Sequence, residues 1–460
     1  MRPRPVKLRL ITPCATRLVR LCVAAIALAL LTTLSSSAWQ TTQAQEKKLS
    51  GSELERIREM LRGVKSELKK NYYDPAYRGM DIEARFKTAE EKLAQADSLG
   101  QGIGVIAQLL VELNDSHTFF IPPQRTSRTD YGWQMKMVGD KCFVVAIKPG
   151  SDAEAKGLKV GDQVIAVDNF GLTRDNLWKL RYMYYTLRPR PGMLLIVQSP
   201  GAPEREVIVM AKVQTGKRIM DLTSGNDIWD LLRDGEAEDR LDRQRYYDKH
   251  PEVMIWKMPT FAVPETEMDE MMSKARKRKN LILDLRGNGG GYIKTLEWLT
   301  GHFFDRDIKI GDLKARKERD PMVAKTKGKT PFKGKLVVLV DSGSGSSAEL
   351  FARVVQLEKI GTVIGDRTAG AVMQSIRRSH EMGTNTIFLY GASVTDADII
   401  MSDGKSLEHV GVTPDTLMLP TAVDMAAGRD SVLSHAAKLA GINLAPEQAG
   451  AMFPVEWKRN

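Results

Sequence analysis

The chain has 460 residues, of which 42% are hydrophobic and 27% are charged, with a formal net charge of +11. These proportions are ordinary for globular proteins, so they exclude an intrinsically disordered or fibrous chain. The length is sufficient for two or three domains with substantial cores.

The first 38 residues have the order of a secretory signal peptide. Six Lys and Arg residues precede the apolar stretch 21–31, and small residues follow it up to Ala38. A run of about a dozen apolar residues is short for a transmembrane helix of ~20 residues, so cleavage is favoured over a retained membrane anchor. We expect cleavage after Ala38 or Ala44 and export to the periplasm or the extracellular space.

Export would remove much of the excess positive charge and leave one cysteine. Without residues 1–38 the chain has 62 Lys and Arg against 57 Asp and Glu, a net charge of +5. The basic stretch 309–335 is better explained as a solvated loop than as a nucleic-acid site. Only Cys142 lies outside the leader, so no internal disulfide can form. We expect no nucleic-acid partner and no membrane span in the mature protein.

Residues 49–123 are predicted to form a helical N-terminal module. Apolar residues recur at helical spacing over 54–68 and again over 103–113. The second helix ends at a turn of sequence Asn-Asp-Ser-His-Thr, and two prolines shortly afterwards prevent its continuation. This turn contains Ser116 and His117.

Residues 128–213 form short β-rich runs separated by Gly, Pro, Asp and Asn turns, which is typical of a small β-domain. Within them, the sequence of residues 149–169 resembles a PDZ domain. In that family an extended peptide adds as a strand, and loop amides hold its C-terminal carboxylate. The resemblance implies a peptide-binding module, with a structural lid as the alternative. The loop that would bind the peptide departs from the usual Gly-Leu-Gly-Phe sequence and consists of Tyr131, Gly132, Trp133 and Gln134.

Residues 214–445 have the alternating pattern of an α/β domain. Strand-like runs at 280–285, 335–340 and 361–365 are separated by helical stretches. This order predicts parallel strands joined by crossover helices.

Ser346 is the candidate nucleophile. It follows the apolar run 336–340 through a turn of small residues and directly precedes a helical pattern. At such a junction the backbone N–H groups have no helical partner, so they can receive a developing oxyanion. The same residues would also suit an ordinary helix N-cap, so the assignment depends on a base and further oxyanion donors.

Two other motifs supply these candidates. His117 lies in a turn between short polar side chains and two phenylalanines, which suits a base in a partly apolar cleft. The glycine run 289–291 follows a predicted strand and would let backbone amides approach a ligand. It lacks the Lys-Ser or Lys-Thr of a phosphate-binding loop. The histidines have no metal-ligand spacing, so we expect neither a metal nor another cofactor.

Together these motifs resemble the C-terminal-processing peptidases, a family of serine peptidases with a crotonase-like (ClpP-like) α/β core. Besides the PDZ domain, the segments that match in order are DSHT, LILDLRGNGGG, VVLVDSGSGSSAEL, VIGDRTAGAV and LEHVGVTPD. The match covers nearly all of the mature chain. It implies that Ser346 is the nucleophile and that the amides of Gly290 and Ser347 form the oxyanion hole.

One departure concerns the general base. The bacterial branch of this family has a pattern such as Lys-Thr-Phe-Gly-Lys-Gly, whose second lysine is the base. Here Ala371 occupies that position, and alanine cannot accept a proton. A serine–lysine dyad at the family position is therefore excluded.

The tricorn-like branch uses a Ser-His pair and a glutamate near a Gly-Val-x-Pro-Asp segment. This chain has matches at Ser116, His117 and Glu408. The resemblance implies that His117 takes the proton from the nucleophile. Ser116 or a carboxylate would orient His117, and Glu408 would act through a hydroxyl or water. Asp415 is the alternative orienting group.

We therefore expect an exported serine endopeptidase whose PDZ domain captures C-terminal or unfolded segments of polypeptides. One alternative is a tricorn-like peptidase that acts on short peptides. Another is a noncatalytic binding protein that retains the fold, which the missing lysine suggests. The sequence leaves the oligomeric state open.

Overall fold

The structure is a computed structural model that describes residues 49–123, 127–215, 243–328, 330–383 and 388–457. The predicted signal peptide lies outside these ranges. Within them, no helix is long and apolar enough to cross a membrane.

The described part of the chain begins with three helices that pack against one another. Helix α1 starts at a capping box, in which Ser50 N–H donates to Glu53 Oε2 at 2.8 Å. Its buried face follows the predicted helical spacing and contains Ile57, Met60, Leu61, Val64 and Leu68. The helices are α1 (Gly51–Asn71), α2 (Ile82–Ala94) and α3 (Leu99–Val111), with a 3₁₀ turn at Tyr77–Gly79.

An antiparallel sheet with its own core follows. Its strands run in the order β3-β4-β5-β7-β8, and β6 pairs with β5. The segments before and after this sheet, β2 and β9, pair with each other in a two-stranded ribbon. The elements are β2 (Ser127–Asp130), β3 (Trp133–Val138), β4 (Lys141–Ile147), α4 (Asp152–Ala155), β5 (Gln163–Val167), β6 (Phe170–Gly171), α5 (Leu177–Arg181), a π-helix (Tyr182–Leu187), β7 (Gly192–Gln198), β8 (Glu204–Met210) and β9 (Lys212–Thr215).

The third part is built on a six-stranded sheet of order β10-β11-β12-β15-β16-β19, in which only the β10–β11 pairing is antiparallel. Alternate residues of its strands face opposite sides, as the pleat requires. Val338 packs against the helices of one face, whereas Val337 and Leu339 pack against helix α10 on the other. Its elements are β10 (Arg245–Tyr247), β11 (Val253–Lys257), α6 (Glu265–Ala275), β12 (Asn280–Asp284), α7 (Ile293–Gly301), β15 (Lys335–Val340), α8 (Ser347–Leu357), β16 (Gly361–Gly365), β19 (Thr416–Leu417), α9 (Ala422–Ala426), α10 (Ser431–Leu439) and α11 (Pro446–Ala451).

A fourth sheet joins the N-terminal helices to this part. Its long central strand, β18, pairs with β1, β13 and β17. The β1–β18 pairing places Phe119 opposite Ser393, so the turn that precedes β1 lies beside the strand that precedes residue 408. The elements are β1 (Phe119–Ile121), β13 (Ile308–Lys314), β14 (Met322–Ala324), β17 (Met373–Met382) and β18 (Phe388–Met401).

The prediction of an α/β protein is confirmed, since parallel strands alternate with helices that cover both faces of the main sheet. Whether the first antiparallel sheet is a PDZ domain stays a prediction at this point.

Candidate active site

Ser346 lies at the junction between β15 and α8 in a strained backbone conformation. Its φ of +54° is uncommon for a residue with a side chain. The Ser346 N–H donates to Ala371 O at 2.9 Å and to Glu349 Oε2 at 3.0 Å. The Glu349 N–H donates to the backbone oxygen of Ser346 at 2.9 Å. The Ser346 hydroxyl therefore does not accept the N-cap hydrogen bond that a serine at a helix start ordinarily accepts.

Glu349 holds this turn against the segment that follows β16. Its side chain is fully buried, and Oε1 accepts hydrogen bonds from Thr368 Oγ1 at 2.5 Å and Gly370 N at 2.7 Å. Oε2 accepts from Ala371 N at 3.0 Å in addition to Ser346 N. Burial raises the pKa of Glu349 to about 7. The sequence analysis missed this residue, although a glutamate three positions after a helix N-cap is a recognisable signal.

Ser116, His117 and Glu408 are brought together by the β1–β18 pairing. Ser116 Oγ lies 2.7 Å from His117 Nδ1 and 2.8 Å from Glu408 Oε2. Glu408 Oε1 also accepts the Ser116 N–H at 2.8 Å, and Oε2 accepts the Val372 N–H at 2.9 Å. Three predicted site residues therefore form one hydrogen-bonded chain.

The ionisation state of Glu408 determines which group donates and which accepts in the hydrogen bonds that join Glu408, Ser116 and His117. An ionised carboxylate only accepts, so Ser116 Oγ–H donates to Glu408, and Ser116 Oγ then accepts from His117 Nδ1–H. In this tautomer Nε2 is unprotonated, as a general base must be. Burial lowers the pKa of His117, which also favours the neutral ring.

Asp115 fixes the turn that carries His117. Its Oδ1 accepts from the backbone N–H groups of His117 at 3.0 Å and Thr118 at 2.7 Å. The same oxygen accepts from Thr395 Oγ1 of β18 at 2.7 Å. A buried carboxylate with three donors thus anchors the turn to the sheet, a function that sequence reasoning did not assign.

Two adjacent residues, Ala371 and Val372, connect the Ser346 turn to Glu408 and so to His117. Ala371 O accepts the Ser346 N–H, and the Val372 N–H donates to Glu408. In the described residues, no hydrogen bond joins Ser346 Oγ directly to His117 Nε2. Such bonds often form only when substrate is present. The alternative orienting group, Asp415, lies elsewhere and accepts from Val363 N at 2.8 Å and Gln356 Nε2 at 2.9 Å.

The predicted oxyanion donors flank the nucleophile. A Cβ added to Gly290 would lie 2.6 Å from Ser346 Cβ, so only glycine permits this approach. The Gly290 N–H donates to Asn288 Oδ1 at 2.9 Å. Ser347 is the first residue of α8, where an N–H has no acceptor within the helix. In this conformation Ser347 N–H is thus the more available donor, and Gly290 N–H would have to share its hydrogen with Asn288.

The predicted peptide-binding loop is largely covered by the protein itself. Tyr131, Gly132 and Trp133 are buried, and only Gln134 is exposed. Tyr131 Oη donates to Arg190 O at 3.0 Å and accepts from Arg190 N at 3.1 Å.

Strand β3 follows this loop directly. Two of its carbonyl oxygens accept hydrogen bonds from side chains that do not belong to its sheet. Met135 O accepts a hydrogen bond from Arg181 of α5. Met137 O accepts from Ser342 Oγ at 2.6 Å. An added peptide strand would have to replace these two bonds.

The model of "Peptidase family S41" matches residues 253–418. The chain is 24% identical to the "C-terminal processing peptidase, chloroplastic" of Tetradesmus obliquus over 368 residues, which are 76% of this chain and 74% of that protein. It is 32% identical to a tricorn protease homolog of Streptomyces coelicolor over 165 residues, which are 35% of this chain but only 13% of that protein.

The fold is also similar to a solved structure. Mature CPAF aligns with a TM-score of 0.61 at 15% identity, over 82% of this chain and 95% of that chain. At this identity the likeness concerns the fold alone. Residues 253–418 thus form a peptidase family S41 domain, and together with the relatives named C-terminal-processing peptidases this domain identifies a serine peptidase.

Proposed function

We propose that the protein is an exported endopeptidase of the C-terminal-processing type in which Ser346 is the nucleophile and His117 is the general base. The observation that carries this proposal is the hydrogen-bonded chain from Glu408 through Ser116 to His117 Nδ1. It replaces the lysine that Ala371 cannot supply, and it leaves His117 Nε2 unprotonated.

In the proposed reaction His117 Nε2 accepts the proton of Ser346 Oγ while Oγ attacks the carbonyl carbon of the scissile bond. The oxyanion would be received by the N–H groups of Ser347 and Gly290. When the C–N bond breaks, His117 returns the proton to the leaving amine. Water then hydrolyses the acyl-enzyme by the same proton transfer, which regenerates Ser346 and releases the carboxylic acid.

We assign the substrate class as polypeptides captured by the antiparallel sheet of residues 128–213, which we interpret as a PDZ domain inserted before a crotonase-like core. The order of its strands and the ribbon β2–β9 at its base suit an insertion of this kind. The name of the Tetradesmus obliquus relative supports cleavage near C-termini. The leader-like residues 1–38 support a periplasmic or extracellular location.

A tricorn-like peptidase that acts on short peptides is the second candidate. Two observations favour it. The first is the 32% identity to a tricorn protease homolog. The second is that Arg181 and Ser342 occupy two carbonyl groups of β3 to which an added peptide strand would bind. Cleavage of a long unfolded polypeptide and of a tripeptide by the same preparation separates the two functions.

The catalytic assignment is tested by labelling the mature protein with a fluorophosphonate and mapping the adduct. We expect the adduct on Ser346, with no labelling of Ser346→Ala and labelling slowed at least ~100-fold in His117→Ala. Ser379→Ala and His435→Ala are matched controls that should label like the wild type. If His117→Ala labels at the wild-type rate, another group is the base. If the folded wild type is not labelled, the noncatalytic binding function is favoured.

A further inference from the structure

His409 lies next to Glu408 and contacts the turn that carries His117. Its Nε2 is 2.8 Å from Asn114 O and 3.5 Å from Glu408 Oε1. A carbonyl oxygen only accepts, so Nε2 must carry a hydrogen in this geometry. The neutral ring is then unprotonated at Nδ1, and a second proton there would make it a cation beside the Glu408 carboxylate.

The backbone of His409 is held in the position that makes this contact possible. Its φ is +61°, in the left-handed region where histidine is tolerated better than most residues. The His409 N–H donates to Gly370 O at 2.8 Å, within the segment that Glu349 fixes to the nucleophile turn. The location of His409 is thus set by the same segment that positions Ser346.

The bond to Asn114 O joins residues that are 295 positions apart in the sequence. Asn114 O also accepts from Arg78 Nη1 at 2.9 Å, so two side chains hold the start of the turn. Glu408 Oε1 receives the Ser116 N–H and faces His409 Nε2–H. The His409 imidazole therefore contacts both the start of the turn that carries His117 and the Glu408 carboxylate.

We infer that His409 is a positioning residue that keeps Glu408 ionised and thereby holds His117 in the tautomer protonated at Nδ1. This inference rests on the proposed function of His117 as the base. If Glu408 gained a proton, it would donate to Ser116 Oγ, and Ser116 would donate to His117 Nδ1. His117 would then carry its hydrogen on Nε2 and could not accept the proton of Ser346.

The electrostatics around Glu408 support this role. Burial raises the pKa of Glu408, while hydrogen bonds from Val372 and Ser116 and the charge of His409 oppose the rise. The other titratable or charged groups around it are Asp115 and His117 on the turn, Arg78 at Asn114 O, Asp398 through Ser406, and Glu349 through Gly370. Among the residues that the structure describes, His409 is the basic side chain that lies within ion-pair distance of Glu408, with Nε2 3.5 Å from Oε1, and it becomes a cation when Nδ1 is also protonated.

The experiment compares the pH dependence of kcat/KM for wild type, His409→Gln and His409→Ala on one fluorogenic peptide. Glutamine can donate from its Nε2 but cannot become a cation. We expect its high-pH plateau to stay within about 3-fold of the wild type, while the acidic limb moves to higher pH by about half a unit or more. His409→Ala should show the same shift of the acidic limb and also a lower plateau of kcat/KM, because Asn114 O loses a donor. His435→Gln on α10 is the matched control, and thermal unfolding checks the fold of each variant.

A second readout does not depend on activity. The ¹⁵N chemical shifts of His117 in the Ser346→Ala background distinguish the ring protonated at Nδ1 from the ring protonated at Nε2. We expect His409→Gln to convert His117 to the Nε2–H tautomer at a higher pH than the parent.

Two outcomes would overturn the inference. The first is a His409→Gln profile that coincides with the wild type, with unchanged His117 shifts. The second is a plateau that falls equally at every pH, which would mean that His409 has only a structural role. Failure of the proposed function would look different: the wild type would neither hydrolyse the peptide nor react at Ser346. In that case the inference about His409 would fail as well.

Discussion

Replacing Glu349 with glutamine tests whether this buried carboxylate holds the nucleophile turn. Four donors converge on its two oxygens: Thr368 Oγ1, Gly370 N, Ala371 N and Ser346 N. Glutamine replaces one oxygen with an NH₂ group. With this group in place of Oε2, Ser346 N–H keeps Ala371 O as its acceptor, but Ala371 N–H loses its own. A buried donor without a partner costs ~1–3 kcal/mol, so the loss in free energy of unfolding at about pH 5 should lie in this range. If it falls on the turn that carries Ser346, kcat should drop at least about 5-fold.

The assay is urea unfolding followed by tryptophan fluorescence, together with kcat on a peptide substrate. Glu270→Gln is the matched control, because Glu270 is exposed on α6 and pairs with Lys274 at 2.5 Å. Its effect on the free energy of unfolding should stay below ~1 kcal/mol. A Glu349→Gln protein that loses less than about 1 kcal/mol and keeps wild-type kcat would refute the reasoning.

The pH dependence provides an independent check on the same residue. The pKa of Glu349 is raised from 4.5 to about 7 in the folded protein. Between these values the folded state binds more protons than the unfolded state, so the contribution of Glu349 to stability falls as pH rises. The destabilisation caused by Glu349→Gln should therefore be largest at and below about pH 4.5 and shrink by ~1.4 kcal/mol per pH unit between that value and about pH 7. A pH-independent difference would contradict the raised pKa.

Three further substitutions follow from the geometry. Gly290→Ala should lower kcat at least ~100-fold, because the added methyl group would meet the nucleophile; near-normal turnover would exclude the close approach. Arg286→Met should cost about 3 kcal/mol in urea unfolding, because buried Asp284 and half-buried Asp430 lose their shared cation, although Lys257 stays 3.3 Å from Asp284; a loss under ~1 kcal/mol would contradict this. Arg181→Ala should increase the affinity for peptides with free C-termini in titration calorimetry, because Met135 O becomes available; unchanged affinity would argue against binding along β3.

The sequence predicted the family, the serine peptidase activity and the α/β class, and these predictions are confirmed. They depend on local signals, such as the strand–turn–helix around Ser346 and the alternation of strands with helices. The matches at Ser116, His117 and Glu408 also came from motifs, and the β1–β18 pairing supplies the proximity that spacing alone could not reveal.

Other features could not be predicted because they depend on contacts between distant segments. The position of Glu349 three residues after the helix N-cap indicates a capping role, but its hydrogen bonds to the segment 368–371 depend on the tertiary fold. Peptide binding by the loop 131–134 stays a prediction, but the burial of Tyr131 depends on its hydrogen bonds to the backbone of Arg190, which is 59 positions away in the sequence. The Asn288–Gly290 hydrogen bond is different, since a side chain that bonds an amide two residues later is a local turn that the sequence could have suggested.

The ribbon formed by β2 and β9 determines when the catalytic groups can meet during synthesis. Thr129 pairs with Val213, so the inserted sheet begins and ends at one place and can fold as soon as residue 215 has emerged. His117 precedes this insertion and Ser346 follows it, whereas Glu408 lies another 62 positions along the chain. A nascent chain that already contains Ser346, the proposed nucleophile, still lacks Glu408, the carboxylate proposed to orient the base. With these roles, the order of the segments delays hydrolytic competence until residue 408 has been synthesised.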